Sequence, residues 1–318
     1  MNQLIKSYIC HLYVAVVLLC NSMVFAQNTD LKFEHFIDDK GLSQNSVMKI
    51  LQDKEGFLWM ATPNGLYKYN GKGFTIYRHE HNNPNSLINN SVYELELDAS
   101  GNILIGTGRG LSRFNKVTET FSTYPAILKD KRISAIYPED DGSLWVGTLY
   151  SGVYYFENTD ELGTRPKRYS FQSNINSTVK ANKVHSITKD ISGNVWVGTN
   201  KSLYKLKKDS NSNYVQFKVL NEGVKSLFLD KNGKLWVGIK GHYLIGIENA
   251  ENINTAEELE YKRYSFHPEL TDTTDYGGLI AINQADGSNL WLGIHGFGLY
   301  WFNTETGDFK LYSPNPLN

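Results

Sequence analysis

The sequence predicts an all-β fold: a β-propeller of six four-stranded repeats, forming an incomplete seven-bladed ring. Three observations carry this. The stretch Asp53-Lys54-Glu55-Gly56-Phe57-Leu58-Trp59-Met60-Ala61-Thr62 returns in variant form at 98–107, 140–148, 190–199, 230–238 and 286–293. Five of the six tryptophans fall on one motif position, Trp59, Trp145, Trp196, Trp236 and Trp291, and Leu104 takes it in the second copy. The period is roughly 40 to 50 residues, room for four short strands and their turns, as in a propeller blade.

Each repeat divides into four strands in order. The inner strand alternates, as in Ser46-Val47-Met48-Lys49-Ile50 and Val184-His185-Ser186-Ile187. The second is the Leu-Trp-x-Gly run. It is apolar on both faces, which suits a sheet sandwiched between two neighbours. The small residue at Ala61, Gly106, Gly147, Gly198, Gly238 and Gly293 is expected where blades approach closely. The third strand is the Gly65-Leu66-Tyr67-Lys68-Tyr69 type. The fourth carries spaced aromatics: Phe74 and Tyr77, Phe121 and Tyr124, Tyr261 and Tyr264, Phe309 and Tyr312.

These assignments place the repeats near 43–77, 87–124, 132–169, 181–219, 223–264 and 276–312. Phe33–Phe36 has the outer-strand pattern without inner strands before it, so it is expected to serve as a ring-closing strand. Seven outer strands then face six inner triplets. The stretch Ser313-Pro314-Asn315-Pro316-Leu317 repeats the approach to the second repeat, Asn83-Pro84-Asn85-Ser86-Leu87. Together these predict a gap beside the last blade, with exposed apolar flanks and unpaired edges that invite association.

The Asp- and Gly-rich turns before the second strands are what tight hairpins select. A calcium loop starting at Asp230 would need a bidentate Glu at its twelfth position, where Gly241 stands. The loop 248–260 is expected to form one helical turn capped by Asn254.

The chain has 318 residues and a formal net charge of −1, so no basic stripe is available for nucleic acid. Residues 1–26 read as a signal peptide: Lys6, a short apolar run at 12–19, and Val24-Phe25-Ala26 with cleavage after Ala26. The run is short for a membrane span. Lipidation at Cys20 is disfavoured by the bulky Leu19 before it. The propeller, 27–318, is then expected in the periplasm. Both cysteines, Cys10 and Cys20, precede it, so it has no disulfide and no thiol chemistry.

The repeated Asp-x-x-Gly-x-Leu-Trp-x-Gly-Thr-x-x-Gly-Leu-Tyr-Lys-Tyr, with Gly41-Leu42-Ser43-Gln44-Asn45-Ser46-Val47 ahead of its first copy, resembles the two-component regulator propeller repeat. That repeat builds the periplasmic sensor region of hybrid two-component systems of Bacteroidetes. The resemblance implies an oligosaccharide sensor. Full members carry two seven-bladed propellers, a β-sandwich, a membrane helix, a histidine kinase and a DNA-binding regulator. The six repeats here read as the sensory fragment of such a system or as a free-standing propeller. The partners would be a second propeller, a histidine kinase or another copy of the chain.

No hydrolase elbow, zinc-protease motif or phosphate loop is present, so the sequence predicts neither an enzyme nor a cofactor or metal site. His79-Glu80-His81 reads as solvated loop, because a metal site needs three or four convergent ligands. Binding residues concentrate on loops held by rigid scaffolds. The second-to-third-strand loops offer Asn64, Arg109, Tyr150, Lys201, His242 and His295; the segments into inner strands offer Arg132, Lys183 and Tyr276. Aromatic faces mixed with polar and cationic donors suit a sugar, neutral or acidic, at the mouth of a central channel. Two other readings are a streptogramin-lyase-type enzyme, marked by histidines and acids at one mouth, and a protein-interaction platform, marked by a broad apolar patch.

Overall fold

The computed structural model describes residues 46–124, 126–158, 165–171, 183–241, 243–266 and 278–312. The signal segment, Phe33–Phe36 and the stretch after Tyr312 lie outside them. The described residues form six four-stranded antiparallel sheets, the blades of a β-propeller, each with its strands in chain order. Blade 1 comprises β1 to β4 (Lys49–Gln52, Leu58–Thr62, Gly65–Tyr69, Phe74–Tyr77). Blade 2 comprises β5 to β8 (Val92–Leu97, Ile103–Thr107, Gly110–Asn115, Thr120–Thr123). Blade 3 comprises β9 to β12 (Ile133–Pro138, Leu144–Thr148, Val153–Phe156, Lys167–Tyr169). Blade 4 comprises β13 to β16 (Val184–Lys189, Val195–Thr199, Leu203–Lys208, Tyr214–Leu220). Blade 5 comprises β17 to β20 (Val224–Leu229, Leu235–Ile239, Tyr243–Ile247, Lys262–Ser265). Blade 6 comprises β21 to β24 (Leu279–Gln284, Asn289–Ile294, Gly298–Asn303, Phe309–Tyr312).

The first strand of each blade packs against the first strand of the next, from β1 through to β21, so these strands line the centre. The apolar clusters lie between blades rather than within them. Trp59 packs with Phe114 and Phe121 of blade 2, Trp145 with Tyr214 of blade 4, and Trp236 with Phe302 of blade 6. A second strand apolar on both faces is therefore covered twice, and β6, β10, β14 and β18 are buried along their whole length.

A carboxylate six residues before the tryptophan fixes four of the five motif indoles. Asp53 accepts Trp59 Nε1–H at 2.9 Å, Asp190 accepts Trp196 at 3.0 Å and Asp230 accepts Trp236 at 2.8 Å. The other oxygen closes the turn: Asp230 Oδ1 accepts the backbone N–H of Asn232 and Lys234. In blade 3 the acceptor is Glu139, at 2.7 Å from Trp145 Nε1, rather than a residue of the Asp140-Asp141-Gly142 turn. Blade 2 has Leu104 in place of tryptophan, and Asp98 turns to Arg113 at 2.6 Å. Blade 6 has Ala285 at the acceptor position, so Trp291 has no such carboxylate. Burial works to raise the Asp53 pKa, but the bonds from Trp59, Phe57 N–H and Lys116 hold it below the usual value.

Lys205 is fully buried and donates to the carbonyls of Ala250, Glu251 and Ile253 at 2.8–2.9 Å, with Asp190 at 3.7 Å. It joins blade 4 to a 3-10 turn of blade 5, Ala250–Asn252. The helical turn of this loop thus precedes Asn254. The expected cap at Asn254 is reversed, because its backbone N–H donates to Glu258 Oε2 at 2.6 Å.

The small residue of the second strand marks the blade junction. A Cβ on Gly147 would stand 2.6 Å from Val184 Cγ1, and one on Gly198 would stand 2.5 Å from Val224 Cγ1, both on the next inner strand. A Cβ on Gly293 would meet only Ala281 of its own blade, at 3.2 Å. Among the described residues, β1 and β21 make no packing of the kind that joins the other inner strands. The faces turned to this side are less covered: Ile50 is 57% accessible on blade 1, and Trp291 and Tyr312 are partly exposed on blade 6. The second strand β22 alternates in burial where its counterparts are fully covered.

Two outcomes follow. Gly147→Ala and Gly198→Ala should each cost about 1–3 kcal/mol by overpacking, lowering Tm by several degrees, whereas Gly293→Ala should leave Tm nearly unchanged. Equal losses at all three would refute the open flank. A chain extended by one further repeat of about 45 residues should also melt more cooperatively and self-associate less than this one, as read by calorimetry and light scattering. Equal behaviour would mean that six blades close the ring.

Candidate ligand site at the channel mouth

Five inner strands carry a β-bulge at the same register. In blade 2, Val92 pairs with Thr107 and Glu94 with Gly106, which leaves Tyr93 extra. The same shift leaves Ser134, His185, Lys225 and Ile280 extra in blades 3, 4, 5 and 6. Met48 holds the equivalent place in blade 1, ahead of the Lys49–Ala61 pair. A bulge bends its strand and re-aims the inserted side chain. Repeated around the centre, it presents one chosen residue per blade at one level of the inner strands.

The surrounding loops are tied to that level. The second-to-third-strand loop donates a backbone N–H to the residue just before the inner strand in blades 2 to 6: Gly108 to Ser91, Leu149 to Arg132, Asn200 to Lys183, Lys240 to Gly223 and His295 to Gly278, at 2.8–3.2 Å. Thr62, Thr107, Thr148 and Thr199 hold the loop from below, each donating its hydroxyl to the carbonyl of Gly65, Gly110, Gly152 or Ser202. Serines lace the strands from blade to blade. Ser134 donates to Val184 O at 2.8 Å and Ser226 to Leu279 O at 2.7 Å, while Ser186 accepts from Leu227 N–H.

The mouth is chemically asymmetric. Met48 and Ile280 make the side beside the open flank apolar. Lys49 pairs with Glu94 at 2.5 Å and with Glu96 at 3.1 Å. Toward blades 3 to 5 the residues are aromatic and basic. The Arg132 guanidinium stacks 3.7 Å from the Tyr93 ring centroid. Lys183 is half-buried, and its pKa is pushed below the ordinary lysine value by burial and then by the Arg132 charge. His185 is pushed down to about 4 by burial and by the charges of Lys225, Lys183 and Arg132, against a smaller opposing effect from the Asn200 side chain. Its Nε2 is buried without a hydrogen-bond partner among the described residues.

Of the residues expected to bind ligand, Arg132 and Lys183 are brought together here. Arg109 is exposed and paired with Asp130 at 2.9 Å. The Asn64 carbonyl accepts Arg78 Nε–H. Tyr150, Lys201 and His295 are exposed on the loops of blades 3, 4 and 6. His242 and Tyr276 lie outside the described residues. His79 Nδ1 is 2.8 Å from Leu87 O, and no metal-ligand cluster occurs among the described residues. Sequence reasoning missed Tyr93, His185 and Lys225. The signal was present: Val92 and Leu95, Val184 and Ile187, and Val224 and Leu227 are three apart, where strict alternation would space buried positions evenly.

Residues 41–64, 127–150 and 178–201 match the two-component regulator propeller. A 59-residue stretch is 51% identical to histidine kinase P4 of Formosa agariphila, covering 19% of this chain and 4% of that protein. Two extracellular domains of hybrid two-component systems from B. thetaiotaomicron share the fold. One has TM-score 0.69 at 18% identity over 89% of this chain and 39% of that one; the other has 0.66 at 21%, over 87% and 35%. Virginiamycin B lyase from Staphylococcus aureus has TM-score 0.61 at 15% identity, covering 83% of each chain. What these structures share with the chain is the β-propeller fold. Three stretches of the chain thus resemble the two-component regulator propeller, and the chain spans well under half the length of the two-component proteins it matches.

His185 provides a direct check. Its folded pKa of about 4 lies below the ordinary 6.5, so the unfolded chain takes up a proton in that window that the folded chain refuses. Stability should therefore fall as pH drops from 6.5 toward 4, and His185→Gln should remove part of that slope in urea titrations. An unchanged slope would show that the imidazole is not held neutral.

Proposed function

We propose that this chain is the exported, ligand-sensing propeller of a hybrid two-component system, and that its ligand is an oligosaccharide held at the channel mouth. The observation that carries this reading is the repeated bulge, which places Tyr93, Ser134, His185 and Lys225 beside Arg132 and Lys183 within a loop frame tied to the inner strands. The repeat match and the fold of the B. thetaiotaomicron sensor domains support the sensor class. The segment 1–26 supports export. No described helix is long and apolar enough to cross a membrane.

Aromatic faces offer stacking surfaces, and cationic and amide groups offer donors, the combination that orients a polar ligand in a cleft. The charged groups acting on His185 are cations rather than a carboxylate. That favours binding over general base chemistry, which needs a group poised near the working pH. Signalling would require the kinase and regulator of the whole system, with the propeller supplying recognition.

Calorimetry with a panel of oligosaccharides on protein recovered from the periplasm tests the reading. At least one glycan should bind with one-site stoichiometry. Combined replacement of Arg109, Tyr150 and His295 by alanine should weaken it if the outer loops share in contact. A panel without any binder would overturn the proposal.

A further inference from the structure

Five first strands bulge at one level, and among the described residues one arc of the mouth gathers positive charge. Arg132 precedes β9, Lys183 precedes β13, His185 is the bulge of β13 and Lys225 the bulge of β17. Strands β9, β13 and β17 are consecutive around the centre. The ion pairs nearby are Lys49 with Glu94 and Glu96, and Arg109 with Asp130; Arg132 and Lys183 take part in none among the described residues. Three effects would ordinarily disperse such charges: mutual repulsion, partial burial of Lys183, and the presence of acids elsewhere on a chain of net charge −1. Here the framework opposes dispersal. The Arg132 and Lys183 carbonyls are pinned by Leu149 and Asn200 N–H, and the Arg132 guanidinium rests on Tyr93.

Such an arrangement is preorganised for a counter-charge. A planar guanidinium presents paired donors to an oxyanion, and an ammonium beside it supplies a point charge. His185 lies beside these cations, with its Nε2 buried and without a hydrogen-bond partner among the described residues.

We propose that the arc formed by Arg132, Lys183 and His185 is an oxyanion subsite that takes a carboxylate or sulfate group of the ligand. The inference rests on the mouth being the ligand site and names the chemical class that site selects: an acidic rather than a neutral saccharide. Tyr93 positions the Arg132 guanidinium. The apolar arc at Met48 and Ile280 lies away from the charged end of the ligand.

The test uses the oxyanions themselves, so it does not depend on knowing the glycan. Sodium sulfate and sodium glucuronate are titrated into the full chain against sodium chloride at matched ionic strength, with the His185 imidazole resonances followed by NMR. Saturable shifts with sulfate, with glucuronate or with both are expected, and the stronger arm tells which anion is preferred. Arg132→Gln and Lys183→Gln should each weaken binding about tenfold, the loss expected for one charge-assisted hydrogen bond. Lys231→Gln, on the turn at the far end of β17, should leave it unchanged. Absence of a saturable shift with both anions overturns the subsite, as does equal binding by the Arg132→Gln and Lys183→Gln variants. A neutral oligosaccharide that binds the mouth while neither anion does would leave the sensor reading standing and remove the acidic preference alone.

Discussion

The structure depends on a buried carboxylate that does two jobs at once. In blades 1, 4 and 5 an aspartate closes the turn between first and second strands with one oxygen and holds the tryptophan indole with the other. The turn then fixes strand register, and the indole fills the junction with the next blade. Neither half is stable alone. A buried indole N–H without an acceptor, or a buried carboxylate without donors, costs about 1–3 kcal/mol or more. Because the tryptophan faces the neighbouring blade, local turn chemistry becomes ring cohesion. The exceptions fit. Blade 2 loses the tryptophan and gives its aspartate to Arg113, and blade 6 loses the aspartate and leaves Trp291 partly exposed beside the open flank.

That cohesion allows the centre to be irregular. A bulge costs ladder hydrogen bonds, and five at one level would loosen an isolated sheet. Here each bulged strand is held by its own second strand and by the loop N–H that reaches back to the residue before it, and β9, β13 and β17 are held as well by serine bonds to the next blade. The site therefore rests on rigid strands, with only its rim on loops. Such rigidity suits recognition, where ordering a mobile site would oppose binding.

Much of the fold was legible in the sequence. The tryptophan register, the small residue that follows two residues later and the aspartate turns each express a packing rule that recurs in most blades. The acceptor role of Glu139 was not legible, because spacing to Trp145 rather than residue type defines it. The helical turn at 250–252 was displaced from Asn254 because buried Lys205 takes the carbonyls that end it, a contact across 45 or more residues. At the candidate site, loop position pointed to Arg132 and Lys183 as expectations, whereas the bulge residues Tyr93, His185 and Lys225 were hidden by treating the inner strands as strictly alternating.

Hydrogen exchange resolved by strand tests the carboxylate–indole account most directly. Backbone amides of β14 and β18, whose blades carry the complete pair and a following neighbour, should exchange slowest. Those of β22, which has neither the carboxylate nor a following neighbour among the described residues, should exchange orders of magnitude faster despite equal ladder bonding. Uniform protection across the six second strands would contradict the account.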